Sequence, residues 1–308
     1  MNNSEILSPQ TFLLLQAVAD AGSFAGAARE LGLVPSALSY RIRQIEESLD
    51  VLLFDRSSRQ AQATPAGLEL LSEGQRILHD IDAVAQRVKR VATGWESHFT
   101  IALDDAFNPQ PLLELCQRFY ELKAPTRIRI RSEVLSGTME SLTSGQSDLV
   151  IGVGEHSEHT HIKTKLLGKI KFIFVVAPHH PLAQLPQPIP DQILVQHRIV
   201  AVADTAQKGA GISIGLLKGQ EVLTVPNLRM KLNAQILGLG VGSLPEYLVK
   251  DAIQKGQLIE LKVQRSDRLV SPHYAWRTND QAQQGRALKW WLEQIANPAT
   301  AAALLGQI

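Results

Sequence analysis

Apolar residues at the start of the chain recur at helical spacing, and helix-stop signals interrupt them. Ser8 and Pro9 suit the start of a helix that Gly22 ends, and Ser23 suits the cap of a second helix that Gly32 ends. Their short length and the glycine between them predict two tightly connected helices.

A third helix is predicted from Pro35, and its residues separate into two faces at 100° per residue. One face collects apolar residues, which we expect to be buried: Leu38, Ile42, Ile45 and Leu49. The opposite face is polar: Ser36, Ser39, Tyr40, Arg43 and Glu47. A solvated face would explain these residues, but three such helices are also the layout of helix-turn-helix DNA binding. The candidate DNA contacts on this helix are Pro35, Ser36, Ser39, Tyr40 and Arg43.

The residues after the third helix predict a hairpin followed by a long helix. An apolar run, a polar turn with Arg56 and Arg59, and a return to Thr64 resemble a wing, so these three residues are further DNA-contact candidates. Thr64 would also cap a helix from Pro65 to Ala92, about 42 Å long. The helix carries an apolar stripe at steps of three, four or seven: Leu71, Leu78, Ile81, Val84, Val88 and Val91. Such a stripe packs on its own domain or pairs with a second copy.

Beyond Gly94 the pattern alternates between strands and helices. "HFTIALD", "RIRIRSEVL", "DLVIGVG", "FIFVVAP" and "RIVAVAD" predict strands, and "PLLELCQRFYELK" and "GTMESLTSG" predict helices between them. The alternation favours an α/β fold with parallel sheets and crossover helices.

Composition and charge narrow the class of protein. With 308 residues, 44% apolar and 20% charged, the chain is long enough for two or three globular domains. The net charge is +1, and residues 1–92 hold nine Lys and Arg against eleven Asp and Glu, so DNA binding must depend on local placement. No membrane span and no secretory signal is predicted, and Cys116 is the only cysteine, so we expect a cytoplasmic protein without an intramolecular disulfide.

Several motifs in one order make a family resemblance specific. They are the Ala27-Ala28 pair, "SALS" at 36–39, Ile42-x-x-Ile45-Glu46, Leu53-Phe54-x-Arg56 and Thr64-x-Ala66-Gly67. This segment resembles the winged helix-turn-helix of LysR-type transcriptional regulators, and "VPSALSY" and "GWESHFTI" are most similar to the YhaJ-type branch. Many members have Ser or Thr where Val34 stands, Gln at Pro35 and a polar residue at Tyr40, so the preferred DNA sequence does not carry over.

The resemblance implies a domain organisation and a set of partners. It implies a winged helix-turn-helix at 1–64, a linker and dimerisation helix at 65–92, and a two-lobed, periplasmic-binding-protein-like effector domain at 93–308. Lobe I would take 93–172 and 274–308, and lobe II 173–273. The expected partners are promoter DNA, a second copy through the linker helix, a tetramer, RNA polymerase and a small-molecule effector that is a small aromatic compound or a carboxylate.

Ligands of open α/β sheets bind beyond the carboxyl ends of strands, which selects the loops that follow the predicted strands. Hydroxyl and N–H groups at the start of the helix at Ser136 would suit a carboxylate, although helix capping explains them equally well. The candidate effector contacts are Asp105, Phe107, Asn108, Ser136, Gly137, Thr138, Glu155, Asp204, Thr205 and Gly242.

Parts of the sequence also fit two functions other than a regulator, a metal-dependent hydrolase and a solute-binding protein. A metal-dependent hydrolase would use Asp104, Asp105 and the cluster His156, His159 and His161, but that spacing fits no zinc pattern and the usual hydrolase motifs are missing. A solute-binding protein would need export. We therefore expect a regulator without a catalytic site, a resident cofactor or a bound metal.

Overall fold

The computed structural model describes residues 6–55, 61–154, 161–207, 211–265, 268–278 and 284–307. The chain divides into two compact units, Met1–Val88 and Lys89–Ile308. Mixed α/β structure fills the second unit, and helices with one small hairpin form the first.

The first unit is a winged helix-turn-helix. Its elements are α1 (Pro9–Ala21), α2 (Phe24–Glu30), α3 (Pro35–Leu49), β1 (Phe54–Asp55), β2 (Gln62–Ala63) and α4 (Pro65–Thr93), which continues into the second unit. The predicted caps are confirmed: Ser8 accepts a hydrogen bond from the Thr11 amide at 3.3 Å, and Ser23 accepts one from the Gly26 amide at 3.1 Å. Gly22 ends α1 with φ of 60°, a conformation that glycine adopts without strain.

The core of this unit forms where the three short helices meet. Six side chains there have at most 1% of their surface exposed: Leu15, Val18, Ala27, Ala28, Leu38 and Ile42. Phe24 meets Phe54 of the hairpin edge-on, with ring centroids 5.9 Å apart. Helix α4 lies close against α1, since a Cβ at Gly74 would stand 2.5 Å from the Phe12 ring. The predicted inward face of α3 is confirmed at Leu38, Ile42 and Ile45, and Leu49 is half-buried.

The second unit contains two lobes built on separate sheets. Its strands are β3 (His98–Asp104), β4 (Arg127–Glu133), β5 (Leu149–Val153), β6 (Ile162–Leu166), β7 (Ile170–Val176), β8 (Ile199–Val202), β9 (Val222–Val225), β10 (Gly242–Pro245), β11 (Ile259–Glu260), β12 (Arg268–Val270) and β13 (His273–Arg277). Its helices are α5 (Gln110–Glu121), α6 (Ser136–Thr143), α7 (Asp191–Leu194), α8 (Leu228–Ile236), α9 (Glu246–Gln254), α10 (Arg286–Ile295) and α11 (Pro298–Leu304), with a 3₁₀ turn at Pro181–Gln184.

The lobe I sheet has the order β4-β3-β5-β13-β6, and the lobe II sheet has the order β10-β7-β11, with β12 also paired to β7. The pairs of β3 with β4 and β5 are parallel, as predicted, but β13 and every partner of β7 run antiparallel. Strand β13 is antiparallel because the chain re-enters lobe I from lobe II. The two connections lie at 167–169 and 271–272, whereas the sequence placed them near Phe172 and His273.

Each lobe has its own apolar core. In lobe I, Trp291 of α10 is fully buried and stacks on Phe99 and Phe119, with centroid distances of 6.5 and 5.9 Å. In lobe II, Ile173 and Val175 of β7 pack with side chains of α8 and α9. Since neighbouring residues of a strand face opposite sides, Phe172 and Phe174 point away from that core. Phe172 packs against the lobe I core, and Phe174 packs against a second apolar cluster of lobe II.

Candidate DNA-binding surface and effector cavity

The outer face of α3 is the candidate DNA-binding surface. Pro35, Ser36, Tyr40 and Arg43 are exposed, and Ser39 is half-buried. Tyr40 has 62% of its surface exposed, and its hydroxyl accepts a hydrogen bond from Nε2 of Gln44 at 3.0 Å. The polar side chains on this face are therefore accessible to base edges and phosphates.

A buried carboxylate that we did not predict as functional ties α3 to the hairpin. Oε1 of Glu46 accepts hydrogen bonds from the amides of Leu53 at 2.9 Å and Phe54 at 3.2 Å, and Glu46 is only 5% exposed. In the sequence, Glu46 is recognisable only as part of the family motif. Its role as an acceptor could not be predicted, because the Leu53 and Phe54 amides that donate to it lie beyond the end of α3. Glu46 therefore fixes where the hairpin starts relative to the outer face of α3.

The remaining DNA-contact candidates are at the hairpin. The Thr64 hydroxyl donates to the Leu52 carbonyl at 2.7 Å and accepts from the Gly67 amide at 3.1 Å, so it is already engaged in capping α4. Gly67 has no room for a side chain, since a Cβ would stand 2.1 Å from the Leu53 carbonyl oxygen. Arg56 and Arg59 lie outside the described residues.

A cavity of about 880 Å³ lies between the two lobes of the second unit. Lobe I lines it with residues that follow β3, β4 and β5, among them Asp104, Asp105, Phe107, Ser136 and Met139. Lobe II lines it with side chains of β7, β12 and α8, among them Phe172, Phe174, Arg268 and Lys231. This volume suits a small organic ligand.

Some of the predicted effector contacts line this cavity, and others lie beside it. Asp105, Phe107 and Ser136 line it. Glu155 lies outside the described residues. The following residues belong to the described part of the chain but do not line the cavity: Asn108, Gly137, Thr138, Asp204, Thr205 and Gly242.

The residues beside the cavity bond within the chain, which corrects the expectation that their polar groups face a ligand. Thr138 is fully buried, and its hydroxyl donates to Oδ2 of Asp104 at 3.2 Å. Asn108 holds its loop against α11, because its backbone amide donates to the Leu304 carbonyl at 2.9 Å.

Gly137 and Thr205 bring the two lobes into contact. The Thr205 hydroxyl, from lobe II, donates to Oε2 of Glu133 at 2.7 Å and accepts from the Val134 amide at 2.9 Å, both in lobe I. A Cβ at Gly137 would stand 2.0 Å from the Thr205 Oγ1, so only glycine fits there. The loop that starts α6 and the loop that contains Thr205 therefore touch directly.

A carboxylate of the chain itself, Asp204, occupies the start of α6, where the sequence left open either helix capping or a ligand carboxylate. Asp204 accepts hydrogen bonds from the Ser136 hydroxyl, from the Gly137 amide at 3.1 Å, and from the Ala206 and Ile212 amides at 3.0 and 2.8 Å. Burial acts to raise the pKa of Asp204, but these hydrogen bonds outweigh it and hold the pKa below its ordinary value.

A second contact between the lobes has the same form, with the carboxylate in lobe I and the helix in lobe II. Asp105 of lobe I accepts a hydrogen bond from the Leu228 amide, in the first turn of α8 in lobe II. Each lobe thus places a carboxylate at the helix N-terminus of the other, where free amides and the helix dipole favour negative charge. We call Asp105 with Leu228, and Asp204 with Ser136 and Gly137, the reciprocal carboxylate contacts.

Two buried charged groups at the cavity have shifted pKa values. Burial raises the pKa of Asp104 from 3.8 to about 6, although the Ala106 and Leu135 amides and the Thr138 hydroxyl donate to it. Burial, followed by the nearby Arg268, lowers the pKa of Lys231 from 10.5 to about 8. Lys231 is 7% exposed, and within the described ranges its ammonium has neither a hydrogen bond nor an ion pair.

The structure bears on two further questions from the sequence. No group of three or more His, Cys, Asp or Glu that could hold a metal occurs among the residues with described positions, but His156 and His159 lie outside them. In the same part of the chain, no helix has the length and apolar character of a membrane span.

Comparisons with known proteins match both units. The family model described as "Bacterial regulatory helix-turn-helix protein, lysR family" matches residues 10–68, and the one described as "LysR substrate binding domain" matches residues 92–298. The uncharacterized HTH-type transcriptional regulator YeeY of Escherichia coli strain K12 is 37% identical over 291 residues, which are 94% of this chain and 93% of YeeY.

A second relative and a solved structure agree with these matches. The probable HTH-type transcriptional regulator YhaJ of the same strain is 36% identical over 304 residues, 96% of this chain and 98% of YhaJ, so identity does not separate a YhaJ-type branch from YeeY. The crystal structure of full-length CbnR complexed with target DNA has a TM-score of 0.60 at 18% identity and covers 94% of this chain and 99% of that one. The family consists of regulators and not of enzymes. This chain belongs to the LysR family of transcriptional regulators, with a helix-turn-helix DNA-binding domain and an effector-binding domain.

Proposed function

We propose that the chain binds promoter DNA through the outer face of α3. A small molecule bound in the cavity between the lobes controls how the chain regulates transcription from that promoter. The observation that carries the proposal is the 880 Å³ cavity, whose two walls are held together by polar contacts at Asp105 and Asp204. Hydrogen bonds of this kind can open and close without the loss of a hydrophobic core. A ligand that prefers one of the two states would shift the population between them.

The DNA contacts divide by chemistry. Arg43 and Ser39 lie on the outward side of α3 and are proposed to read bases, with Ser36 and Tyr40 beside them. Arg56 and Arg59 in the wing are proposed to contact phosphates. The Thr64 hydroxyl is engaged by the Leu52 carbonyl and the Gly67 amide, so Thr64 is proposed to position the wing.

The assembly is proposed from α4. Ile81, Val84, Val88 and Val91 are 45%, 49%, 65% and 88% exposed, and they form one side of the helix. Such a stripe is normally covered, and a second copy of α4 is the simplest cover. We propose a dimer through α4, a tetramer through the effector domains, action in the cytoplasm where the promoter DNA lies, and contact with RNA polymerase at the promoter.

Binding-site sequencing of purified protein on genomic DNA tests the DNA-binding part and identifies an operator. On that operator, Arg43→Ala should weaken specific binding by ~1–3 kcal/mol, because one base contact is lost, and should leave non-specific binding unchanged. Ser48→Ala, an exposed residue of the same helix outside this polar face, is the matched control. If Arg43→Ala weakens binding to the operator and to random DNA equally, Arg43 contacts the DNA backbone and not a base.

A further inference from the structure

Lys231 lacks the partner that a buried charge needs. It is the fourth residue of α8, only 7% of its surface is exposed, and it lines the cavity. Moving an ammonium out of water without a counter-charge is strongly unfavourable. No carboxylate, carbonyl or hydroxyl in the described chain bonds to it.

The backbone around Lys231 leaves space for its ammonium. A Cβ at Gly242 of β10 would stand 3.3 Å from Nζ of Lys231, so glycine at this position keeps the approach open. One turn along α8, Gln235 donates to the Gly242 carbonyl at 3.0 Å, which holds α8 and β10 in this relation. The ammonium is therefore held in place at the wall of the cavity by the packing of its own helix.

The other charges of the cavity do not neutralise Lys231. Arg268 adds a second cation, with its guanidinium 5.4 Å from the Phe172 ring centroid. The two carboxylates that line the cavity are engaged elsewhere: Asp104 accepts from the Ala106 and Leu135 amides, and Asp105 accepts from the Leu228 amide. These hydrogen bonds leave the carboxylate charges in place, and the charge of Asp104 acts on Arg268. Lys231 itself is left without a hydrogen bond or an ion pair in the described part of the chain.

Much of the remaining wall is apolar. Phe107, Phe172 and Phe174 line the cavity together with Met139, Ile170 and Val202. Phe172 and Phe174 lie on the same side of β7, and in the register of the lobe II sheet Phe172 pairs with Arg268. An apolar ring or chain would thus lie next to the cations.

We propose that the cavity binds an organic anion, with its single acidic group on Lys231 and Arg268 and its apolar body against the phenylalanine side chains. The inference rests on the proposed function, since it names the class of molecule that the cavity takes. The start of α6 is not available to the acidic group, because Asp204 already accepts from Ser136 and Gly137 there. The binding site for the acid thus lies in lobe II.

A matched pair of fluorescent probes tests this inference on the full-length protein. 1-Anilinonaphthalene-8-sulfonate is an anion, and N-phenyl-1-naphthylamine has the same ring body without the sulfonate. We expect Lys231→Met to weaken binding of the anionic probe about tenfold or more, since a charged hydrogen bond is lost, and to change binding of the neutral probe less than about twofold. Lys250→Met, an exposed lysine on α9, should affect neither probe.

The outcomes separate this inference from the proposed function. If Lys231→Met leaves the anionic probe bound as in wild type, or weakens both probes equally, the anion site is wrong while the cavity stands as a binding site. If neither probe binds wild-type protein, both the inference and the effector cavity fail. Lys231→Gln, which keeps polarity without charge, should behave as Lys231→Met, and thermal unfolding establishes that each variant is folded.

Discussion

Lys231 is a buried charged residue, and the effect of its ionisation on stability can be tested by varying the pH. Its pKa is 10.5 in an unfolded chain and about 8 in the fold. Between these values the unfolded state binds a proton that the folded state does not, so stability rises with pH in this window. Below pH 8 the shift costs ~3 kcal/mol, at 1.36 kcal/mol per pKa unit.

We therefore predict that Lys231→Met stabilises the ligand-free effector domain by ~3 kcal/mol at pH 7 and that the gain vanishes near pH 10.5. Unfolding of wild type and variant at several pH values measures the difference. The other charged groups lining the cavity are Arg265, Arg268, Asp104 and Asp105; the pKa of Asp104, about 6, lies below this window. A variant less stable than wild type at pH 7 would contradict the prediction.

Glu46 is the residue on which the geometry of the DNA-binding unit depends. Glu46→Ala would leave the Leu53 and Phe54 amides without their acceptor, which should cost ~1–3 kcal/mol and displace the hairpin. We expect a lower melting temperature of this unit and weaker operator binding. Glu47→Ala, the exposed neighbour, should stay within about 0.5 kcal/mol of wild type. If the two variants have the same melting temperature and the same operator affinity, Glu46 does not hold the hairpin in place.

Among the elements, those with local signals could be predicted from the sequence. Ser8, Pro9 and Gly22 specify both ends of α1 within a few residues, and "HFTIALD" coincides with β3. The strands β9, β11 and β12 have two to four residues and no clear alternation, so they exist only through their pairing partners. Element positions were therefore predictable where the signal lies within the element itself.

The cavity was predictable only in part, for the same reason. The rule on strand ends selected Asp105, Phe107 and Ser136, which line it. Lys231 was missed, because a lysine in a helix is ordinarily exposed and only the approach of β10 buries it. The direct contact between Ser136 and Asp204 was also missed, since 68 residues separate them and only the topology brings them together.

Helix α4 is the element proposed to join two copies. Val88→Asp would place a carboxylate in the stripe of Ile81, Val84 and Val91, where a dimer would have to bury it. We expect the variant to sediment as a smaller species than wild type at micromolar concentration, because only the proposed contacts between effector domains would still join the copies. Asp82→Lys changes an exposed charge away from the stripe and should leave the dimer intact. An unchanged sedimentation coefficient for Val88→Asp would exclude this interface.

At the scale of the whole molecule, the state of the cavity is proposed to control the arrangement of the bound DNA. The reciprocal carboxylate contacts join the two lobes. Asp105→Ala with Asp204→Ala removes both contacts while leaving α3 untouched. If lobe closure sets the arrangement of the DNA-binding domains, the double variant should bind its operator in a different geometry.

The most direct measurement is a hydroxyl-radical footprint of the operator with wild type and the Asp105→Ala/Asp204→Ala variant. Glu121→Ala/Asp251→Ala, two exposed carboxylates with one in each lobe, is the matched control. We predict that the length of protected DNA changes in the first variant and not in the control. The affinity of both variants for the operator should stay within about threefold of wild type, a difference of less than about 1 kcal/mol. Identical footprints for all three proteins would contradict the claim that the lobes and the DNA are coupled.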